Sequence, residues 1–234
     1  MSDKPKFAMY WAASCGGCEI AVLNTHEKIL DVDAHFDVVF WPVAMDAKYS
    51  DIEAMEDGSI TLCLFNGAIR NDENEHIAKL VRRKSKILVA FGSCACEGCI
   101  PGLANLYDRK SIFDYVYLES PSVDNPKKVV PQTAYQMPEG EIQIPKFYNT
   151  VKTLGQTVDV DYFLPGCPPQ PPQIWAVIEA ILGGKLPPKG SVVGANDKTV
   201  CDECKHTRQE KKIKKFYRIY EMIPDSTQCL FDQG

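Results

Sequence analysis

Ten cysteines are the most informative residues of this 234-residue chain, because they are clustered rather than scattered. Cys15 and Cys18 flank two glycines, Cys94 begins a stretch rich in cysteine and glycine, and Cys167 precedes two prolines. Thiols in such groups bind metal ions or iron–sulfur clusters, form redox disulfides, or lie inert in a core. The full set of positions is 15, 18, 63, 94, 96, 99, 167, 201, 204 and 229.

The composition is that of a folded protein with a core of its own. Apolar residues make up 45% of the chain and charged residues 24%. The net charge of −5 gives no general attraction to nucleic acid. There is no run of 18 apolar residues, and the first residues contain neither an apolar signal segment nor a twin-arginine pair. We therefore expect a cytoplasmic protein without a membrane span, in which cysteines serve metal or cluster binding rather than disulfides.

Five short apolar segments have the length and the β-branched or aromatic content of buried strands. They are residues 6–12, 36–43, 60–65, 87–91 and 160–164. Helical patterns lie between them: the first spans 19–30, the second begins at Asp72 with a capping-box pattern, and the third begins at Pro171. This alternation predicts an α/β fold, with a parallel sheet and helices on both faces.

Two segments depart from the alternation of strands and helices. Residues 119–150 contain five prolines and predict a long surface excursion. Residues 201–234 contain three cysteines and a basic run at 205–218, which favours a solvated face or a docking surface for an acidic partner. We therefore predict two domains: residues 1–186 form the α/β domain, and residues 187–234 form a small, metal-organised domain.

Four of the cysteines fall where predicted strands end. Cys15 and Cys18 follow the first strand, whereas Cys94 and Cys167 follow the strands that end at residues 91 and 164. The carboxyl ends of parallel strands share one edge of a sheet, where α/β proteins gather their ligand sites. Four convergent thiolates can hold a 4Fe–4S cluster, glycines let the backbone approach it, and a helix start favours its negative charge. The pattern therefore predicts an iron–sulfur cluster at this edge.

Each alternative explains fewer of these residues. A thioredoxin-like pair would use Cys15 and Cys18 but leave the other two thiols without a role. A structural zinc site accepts four thiolates, yet it usually draws them from two close pairs. Cys63 lies inside a predicted strand and is expected to be an inert buried thiol. His26 lies in the apolar stripe of the first predicted helix and is expected to be a core histidine.

Several segments resemble the small subunits of nickel–iron hydrogenases. They are SCGGCE, GSCACEGCIPGL and DVDYFLPGCPPQPP, in that order, and CDEC, KKFYR and PDSTQCLFDQG extend the resemblance to the C-terminus. The resemblance is nearest to the cytosolic, methyl-viologen-reducing type that works with heterodisulfide reductase. It implies a flavodoxin-like domain with a small iron–sulfur domain after it. It also implies a proximal 4Fe–4S cluster on four ligands, namely Cys15, Cys18, Cys94 and Cys167.

The resemblance further implies a division of labour between two chains. The nickel–iron centre belongs to a separate large subunit. This chain then passes electrons between that centre and an iron–sulfur or flavin acceptor, such as a ferredoxin-like adaptor or heterodisulfide reductase. An electron-relay module without hydrogenase activity is the alternative, because the nickel ligands lie on another chain. A flavoprotein or thiol oxidoreductase is a further alternative, although Cys-Gly-Gly-Cys lacks hydroxyls that would cradle a flavin phosphate.

Three residues beside the predicted ligands have open roles. Glu19 follows Cys18, and the resemblance makes it a candidate proton-relay carboxylate at the subunit interface. A first-turn glutamate that complements the helix dipole is the equal alternative. Cys96 and Cys99 stand where the family usually has glycines. Oxygen-tolerant relatives pair a cysteine at the Cys99 position with another where this chain has Gly17, so we expect an ordinary 4Fe–4S cluster without either extra cysteine as a ligand.

The C-terminal cysteines resemble the family's second cluster segment. Cys201, Cys204 and Cys229 would bind a second 4Fe–4S cluster, which needs a fourth ligand. His206 is a candidate, since imidazole replaces thiolate on some clusters, although its basic surroundings favour a solvated side chain. We therefore expect that the 234 residues are a shortened version of the protein, through a truncated gene prediction or a selenocysteine codon taken as a stop. An intact mass equal to that of 234 residues would refute this expectation.

Overall fold

The structure is a computed structural model that describes residues 4–194, 196–208, 215–218 and 220–233. The chain divides into two units, Met1–Ala195 and Asn196–Gly234. The strands are β1 (Lys6–Trp11), β2 (Asp37–Phe40), β3 (Ile60–Asn66), β4 (Ile69–Asn71), β5 (Ser85–Phe91), β6 (Ala134–Met137), β7 (Gly140–Gln143), β8 (Phe147–Lys152) and β9 (Tyr162–Leu164). The α-helices are α1 (Gly17–Leu23), α2 (Lys28–His35), α3 (Tyr49–Glu53), α4 (Asp72–Lys84), α5 (Ser93–Glu97), α6 (Cys99–Gly102), α7 (Arg109–Asp114), α8 (Pro171–Leu182), α9 (Val200–Glu203) and α10 (Leu230–Gln233). Leu103–Leu106 forms a 3-10 helix and Tyr115–Glu119 a π-helix.

The first unit is built around a five-stranded sheet with the order β2-β1-β3-β5-β9. Every pair of neighbours in this sheet is parallel. When only the strands of this sheet are numbered along the chain, the order is 2-1-3-4-5, which is the flavodoxin-like order. All five predicted strands are present in the sheet, so the predicted flavodoxin-like α/β fold is confirmed.

Buried side chains cover both faces of the sheet, which explains why its strands are nearly continuous apolar runs. On one face the strands pack against α1, α2 and α8, mainly through Phe7, Met9, Leu62, Leu64, Val89 and Phe91. On the other face they pack against α3, α4 and α5, mainly through Ala8, Tyr10, Cys63, Phe65, Leu88 and Ala90. Cys63 is fully buried, and burial raises its pKa to about 12, as expected for an inert core thiol.

The first predicted helix is two helices, so the prediction of one helix over 19–30 is wrong. Helix α1 ends at Leu23, and α2 begins at Lys28. The Thr25 hydroxyl donates to the Val22 carbonyl oxygen at 2.7 Å, and this local bond competes with continued helix formation. His26 follows with a φ of +57° and an exposed side chain, so the prediction of a core histidine is also wrong.

The other two predicted helices are present and begin at Asp72 and Pro171 as predicted, but Asp72 is not the N-cap of α4. The N-cap of α4 is Asn71, whose side-chain oxygen accepts from the Asn74 amide at 2.8 Å. Asp72 instead accepts from the Lys146 amide at 2.8 Å. Helix α8 begins at Pro171, as predicted, and ends before Gly183.

Residues 119–150 lie mostly at the surface, as predicted, and they contain regular structure. Strands β6 and β7 form an exposed antiparallel hairpin, and β8 pairs with β4. Residues 187–194 belong to the first unit, because two backbone hydrogen bonds join them to β9. The Phe163 amide donates to the Ser191 carbonyl oxygen, and the Val193 amide donates to the Phe163 carbonyl oxygen. The division of the chain therefore falls nine residues after the predicted boundary at 186.

No helix among the described residues is both long and apolar enough to cross a membrane. The predicted basic run at 205–218 is described only at 205–208 and 215–218, where it is exposed. The middle of that run lies outside the described residues.

Candidate iron–sulfur site

Three loops leave the carboxyl edge of the sheet and carry the four predicted proximal ligands. The loop after β1 contains Cys15 and leads into α1, whose first turn contains Cys18. Gly92 follows β5 and is followed at once by α5, which contains Cys94. The loop between β9 and α8 contains Cys167. The strand–loop–helix order of the sequence therefore positions all four thiols at one edge.

The three loops meet at Gly92. Its amide donates to the Leu164 carbonyl oxygen at 2.8 Å, and the Ser93 amide donates to the Gly166 carbonyl oxygen at 2.8 Å. A Cβ atom built on Gly92 would lie 2.3 Å from Cys18 Sγ and 3.6 Å from the Gly166 carbonyl oxygen. Only a residue without a side chain fits there. The Cys18 thiol is therefore packed against the loop after β5, which is itself hydrogen-bonded to the loop after β9.

The four thiols influence one another electrostatically. Cys18 and Cys94 are buried, whereas Cys15 and Cys167 are exposed. Burial raises the pKa of Cys18 to about 12, and the charges of Cys94, Cys15 and Cys167 add to this rise. Burial likewise raises the pKa of Cys94 to about 11, and the charges of Cys99 and Cys167 add to it. The structure thus brings the four predicted ligands into one group.

All four predicted ligands are cysteines, and thiolate is the donor type that holds 4Fe–4S clusters. Within the described ranges, no group of three histidine, cysteine, aspartate or glutamate side chains is close enough to hold one metal ion. Thiolate is the binding form, so cluster binding at Cys18 and Cys94, whose pKa values are raised, would release protons.

The two extra cysteines of the middle loop have different surroundings. Cys96 packs against the core and donates to the Ala90 carbonyl oxygen at 3.3 Å. Burial raises the pKa of Cys96 to about 12. Cys99 instead reaches the site, where its Sγ lies 3.9 Å from Cys167 Sγ. Gly98, with a φ of +93°, turns the chain between the two. The sequence pattern does not distinguish them, and the structure adds a fifth thiol to the group.

Glu19 is buried beside Cys18, with 2% of its surface exposed. Trp41 Nε1–H donates to Glu19 Oε2 at 2.5 Å, and Glu19 Oε1 has no hydrogen-bond partner among the described residues. Burial raises the pKa of Glu19, and the Trp41 and Asn66 side chains offset part of the rise. Asn66 ends β3 and is fully buried; its side chain is near enough to the Glu19 carboxyl group to lower its pKa, but neither of its polar atoms is within hydrogen-bond distance of a partner in the described part of the chain. Neither Trp41 nor Asn66 is close to Glu19 in sequence, so no local pattern indicates these neighbours.

The second unit contains the three C-terminal cysteines. Cys201 lies in α9 and Cys204 follows it, and both are exposed. Cys229 is buried, and its amide donates to the Thr207 carbonyl oxygen at 2.9 Å. This bond joins the segment after Cys204 to the segment that contains Cys229. His206 is exposed. The ligand roles of these four residues stay predictions.

The chain matches known proteins over most of its length. The protein family described as NADH ubiquinone oxidoreductase, 20 Kd subunit, matches residues 15–181. The iron-sulfur subunit of the F420-non-reducing hydrogenase of Archaeoglobus profundus is 43% identical over 98% of this chain and 73% of its own length. A vhu subunit of the F420-non-reducing hydrogenase of Methanococcus voltae is 35% identical over 100% of this chain and 74% of its own length. A chain in the crystal structure of a NAD+-reducing NiFe-hydrogenase in the H2-reduced state has a TM-score of 0.67 and 28% identity, over 79% of this chain and 94% of that one.

The fold and the family match define the class: a flavodoxin-like α/β protein of the NADH ubiquinone oxidoreductase 20 Kd subunit type. Identities of 35–43% over nearly the whole chain are more specific. The chain belongs to the family of nickel–iron hydrogenase small subunits, in the group found in F420-non-reducing hydrogenases, and the predicted family is confirmed.

Proposed function

We propose that the chain carries electrons between a nickel–iron centre on a separate large subunit and an iron–sulfur or flavin acceptor. The convergence of three strand-end loops at Gly92 carries this proposal, because it gathers four thiols at one sheet edge. Membership of the hydrogenase small-subunit family supports this role in electron transfer. When bound, a 4Fe–4S cluster supplies a one-electron carrier.

The residues of the chain have distinct tasks in this proposal. Cys15, Cys18, Cys94 and Cys167 hold the cluster. Their loops are positioned by rigid elements, since each follows a buried strand and leads into a helix. Gly166 links the loop after β9 to the loop after β5, because its amide also donates to Ser93 Oγ at 3.2 Å.

Exposed apolar side chains beside the site support a protein partner. They lie on α1, directly after Cys18, and on the segment directly after Cys99. These residues are Ile20, Leu23, Ile100, Leu103, Leu106 and Tyr107. Within each segment these side chains recur at intervals of three or four residues and so share one helix face, and exposed apolar faces are typical of protein–protein contacts. We assign it to the large subunit. In this proposal the protein that accepts the electrons is a ferredoxin-like adaptor or heterodisulfide reductase.

Two further parts of the proposal concern the polar and C-terminal residues. Glu19 moves protons at the interface with the large subunit, since its Oε1 is buried and has no partner among the described residues. Cys201, Cys204 and Cys229 hold a second 4Fe–4S cluster with a fourth ligand, and the hydrogen bond between Cys229 and Thr207 supports this by joining the two cysteine segments.

Iron and sulfide analysis of the anaerobically purified complex tests the proximal site. Changing Cys15, Cys18 or Cys94 to Ala should remove about four irons per chain, because each ligand change disrupts one cluster. The Cys167→Ala change is made in a Cys99→Ser background, so that the neighbouring thiol does not replace the lost ligand. Cys96→Ala is the matched control and should keep its iron.

Two results would contradict these assignments. Full iron content in the Cys167 variant would remove that residue from the ligand set. Absence of nickel from a complex that retains its iron would favour an electron-relay module without hydrogenase activity.

A further inference from the structure

Cys99 and Cys167 form a close pair of thiols at the candidate site. The two Sγ atoms lie 3.9 Å apart. Cys167 is exposed and Cys99 is half-buried, so small molecules in solution can reach the pair. Cys18 and Cys94, by contrast, are buried.

We propose that Cys99 and Cys167 form a reversible disulfide in the cluster-free subunit. A disulfide bond is about 2.05 Å long, so the two sulfur atoms must approach each other by roughly 1.9 Å. Cys99 begins α6 directly after the turn at Gly98, and Cys167 lies in the loop between β9 and α8. Rotation of the two side chains, together with movement of the loop that carries Cys167, must cover this distance.

The oxidant is a small-molecule disulfide such as oxidised glutathione. The Cys167 thiolate attacks one sulfur of that disulfide, which forms a mixed disulfide and releases one small thiolate. The Cys99 thiolate then attacks the Cys167 sulfur and releases the second. In total, the two cysteines lose two electrons and two protons, and the small disulfide gains them to become two thiols.

This disulfide would close the cluster site until it is reduced. Cys167 is then unavailable as a ligand, and it is also protected from irreversible oxidation to the sulfinic acid. The closing role rests on the proposed cluster, whereas the disulfide itself does not. Cys99 therefore protects the proposed ligand Cys167 and need not be a ligand itself.

Peptide mapping tests the disulfide in the full chain after anaerobic removal of iron with a chelator. The cluster-free protein is treated with oxidised glutathione, alkylated, and digested with trypsin and a protease that cleaves after glutamate. Cleavage after Glu97 separates Cys99 from Cys94 and Cys96. We expect a linked Cys99–Cys167 peptide that dithiothreitol reverses, and in Cys99→Ser we expect glutathione on Cys167 instead. A Cys96→Ser control should behave like the parent.

A second arm measures iron uptake of the oxidised and the reduced cluster-free chain. We expect the reduced form to regain about four more irons than the oxidised form, and reduction to remove the difference. A dominant Cys15–Cys18 link, or mixed disulfides without the Cys99–Cys167 peptide, would overturn the disulfide. Equal iron uptake by both forms would overturn the closing role. Failure of the reduced form to take up any iron would instead count against the proposed cluster, and the peptide map would still decide the disulfide.

Discussion

The change Gly92→Ala is the most direct test of the loop convergence. Gly92 has φ and ψ of 83° and 159°, a backbone region that essentially only glycine adopts. Its added Cβ would lie 2.3 Å from Cys18 Sγ, closer than real Cβ contacts come. The variant therefore combines backbone strain with a direct clash against a predicted ligand.

The magnitude follows from these two effects. Backbone strain of this kind costs about 1–3 kcal/mol, and overpacking a filled site costs a further 1–3 kcal/mol or so. Gly190→Ala is a matched control, since Gly190 has a φ of +85° and no heavy atom within 4 Å of an added Cβ. The control therefore has a positive φ without the clash. For a chain of this size an extra 2 kcal/mol or so lowers the Tm by ~4–8 °C beyond the control.

Thermal unfolding of the cluster-free subunit and iron analysis of the complex measure the two consequences. We expect Gly92→Ala to unfold several degrees below Gly190→Ala and to lose about four irons per chain, because Cys18 is displaced. Gly190→Ala should keep its iron. Equal Tm values and full iron content in both variants would show that Cys18 does not pack against Gly92 and that the loops do not converge there.

Three further predictions concern other parts of the first unit. Glu19→Gln should slow hydrogen–deuterium exchange by the complex roughly 10²-fold with unchanged iron content, because Gln cannot carry the proton; equal exchange rates would leave only the helix-dipole role. Asp161→Asn should lower the free energy of unfolding by about 3 kcal/mol at pH 7, because buried Asp161 bonds Arg82 at 2.6 Å. Burial alone would raise the pKa of Asp161, but its hydrogen bonds outweigh burial and lower the pKa. The difference in unfolding free energy between the parent and the variant should therefore shrink as pH falls below about 4. A difference that does not change with pH would contradict the ion pair. Asn71→Ala should cost about 1 kcal/mol in urea unfolding through loss of the α4 cap, and no change would mean that the Asn74 amide finds another partner.

The sheet could be predicted from sequence because its strands are buried on both faces. A doubly buried strand is apolar at nearly every position, and this signal does not depend on distant residues. The break between α1 and α2 coincides with the hydrogen bond from the Thr25 hydroxyl to the Val22 carbonyl oxygen and with the positive φ of His26, neither of which apolar periodicity indicates. The N-cap of α4 likewise depends on a distant residue. Asn71 and Asp72 are both good N-cap residues, and the Lys146 amide binds Asp72 and leaves Asn71 as the cap.

The candidate site could be predicted only to the level of its loops. Strand ends in a parallel sheet must share an edge, so the grouping of Cys15, Cys18, Cys94 and Cys167 follows from topology. The direction of each side chain within a loop does not. Cys96 and Cys99 are three residues apart in one short segment, yet one enters the core and the other reaches Cys167. That difference depends on the local turn, which the order of residue types does not specify.

The polar groups beside Cys18 support a functional role for this edge independently of the cysteines. A buried polar atom without a partner costs about 1–3 kcal/mol, and most native structures contain few of them. Glu19 and Asn66 contribute three polar atoms without a hydrogen bond at the carboxyl edge of the sheet, counted among the described residues, although the Asn66 side chain is near enough to lower the pKa of Glu19. A glutamate that only complements the helix dipole gains 0.3–1 kcal/mol or so at an exposed position, without that desolvation cost. The hydrogen bond from Trp41 offsets part of the cost of burying Glu19, and the remaining cost supports the proposal that this carboxyl group serves proton movement at the large-subunit interface.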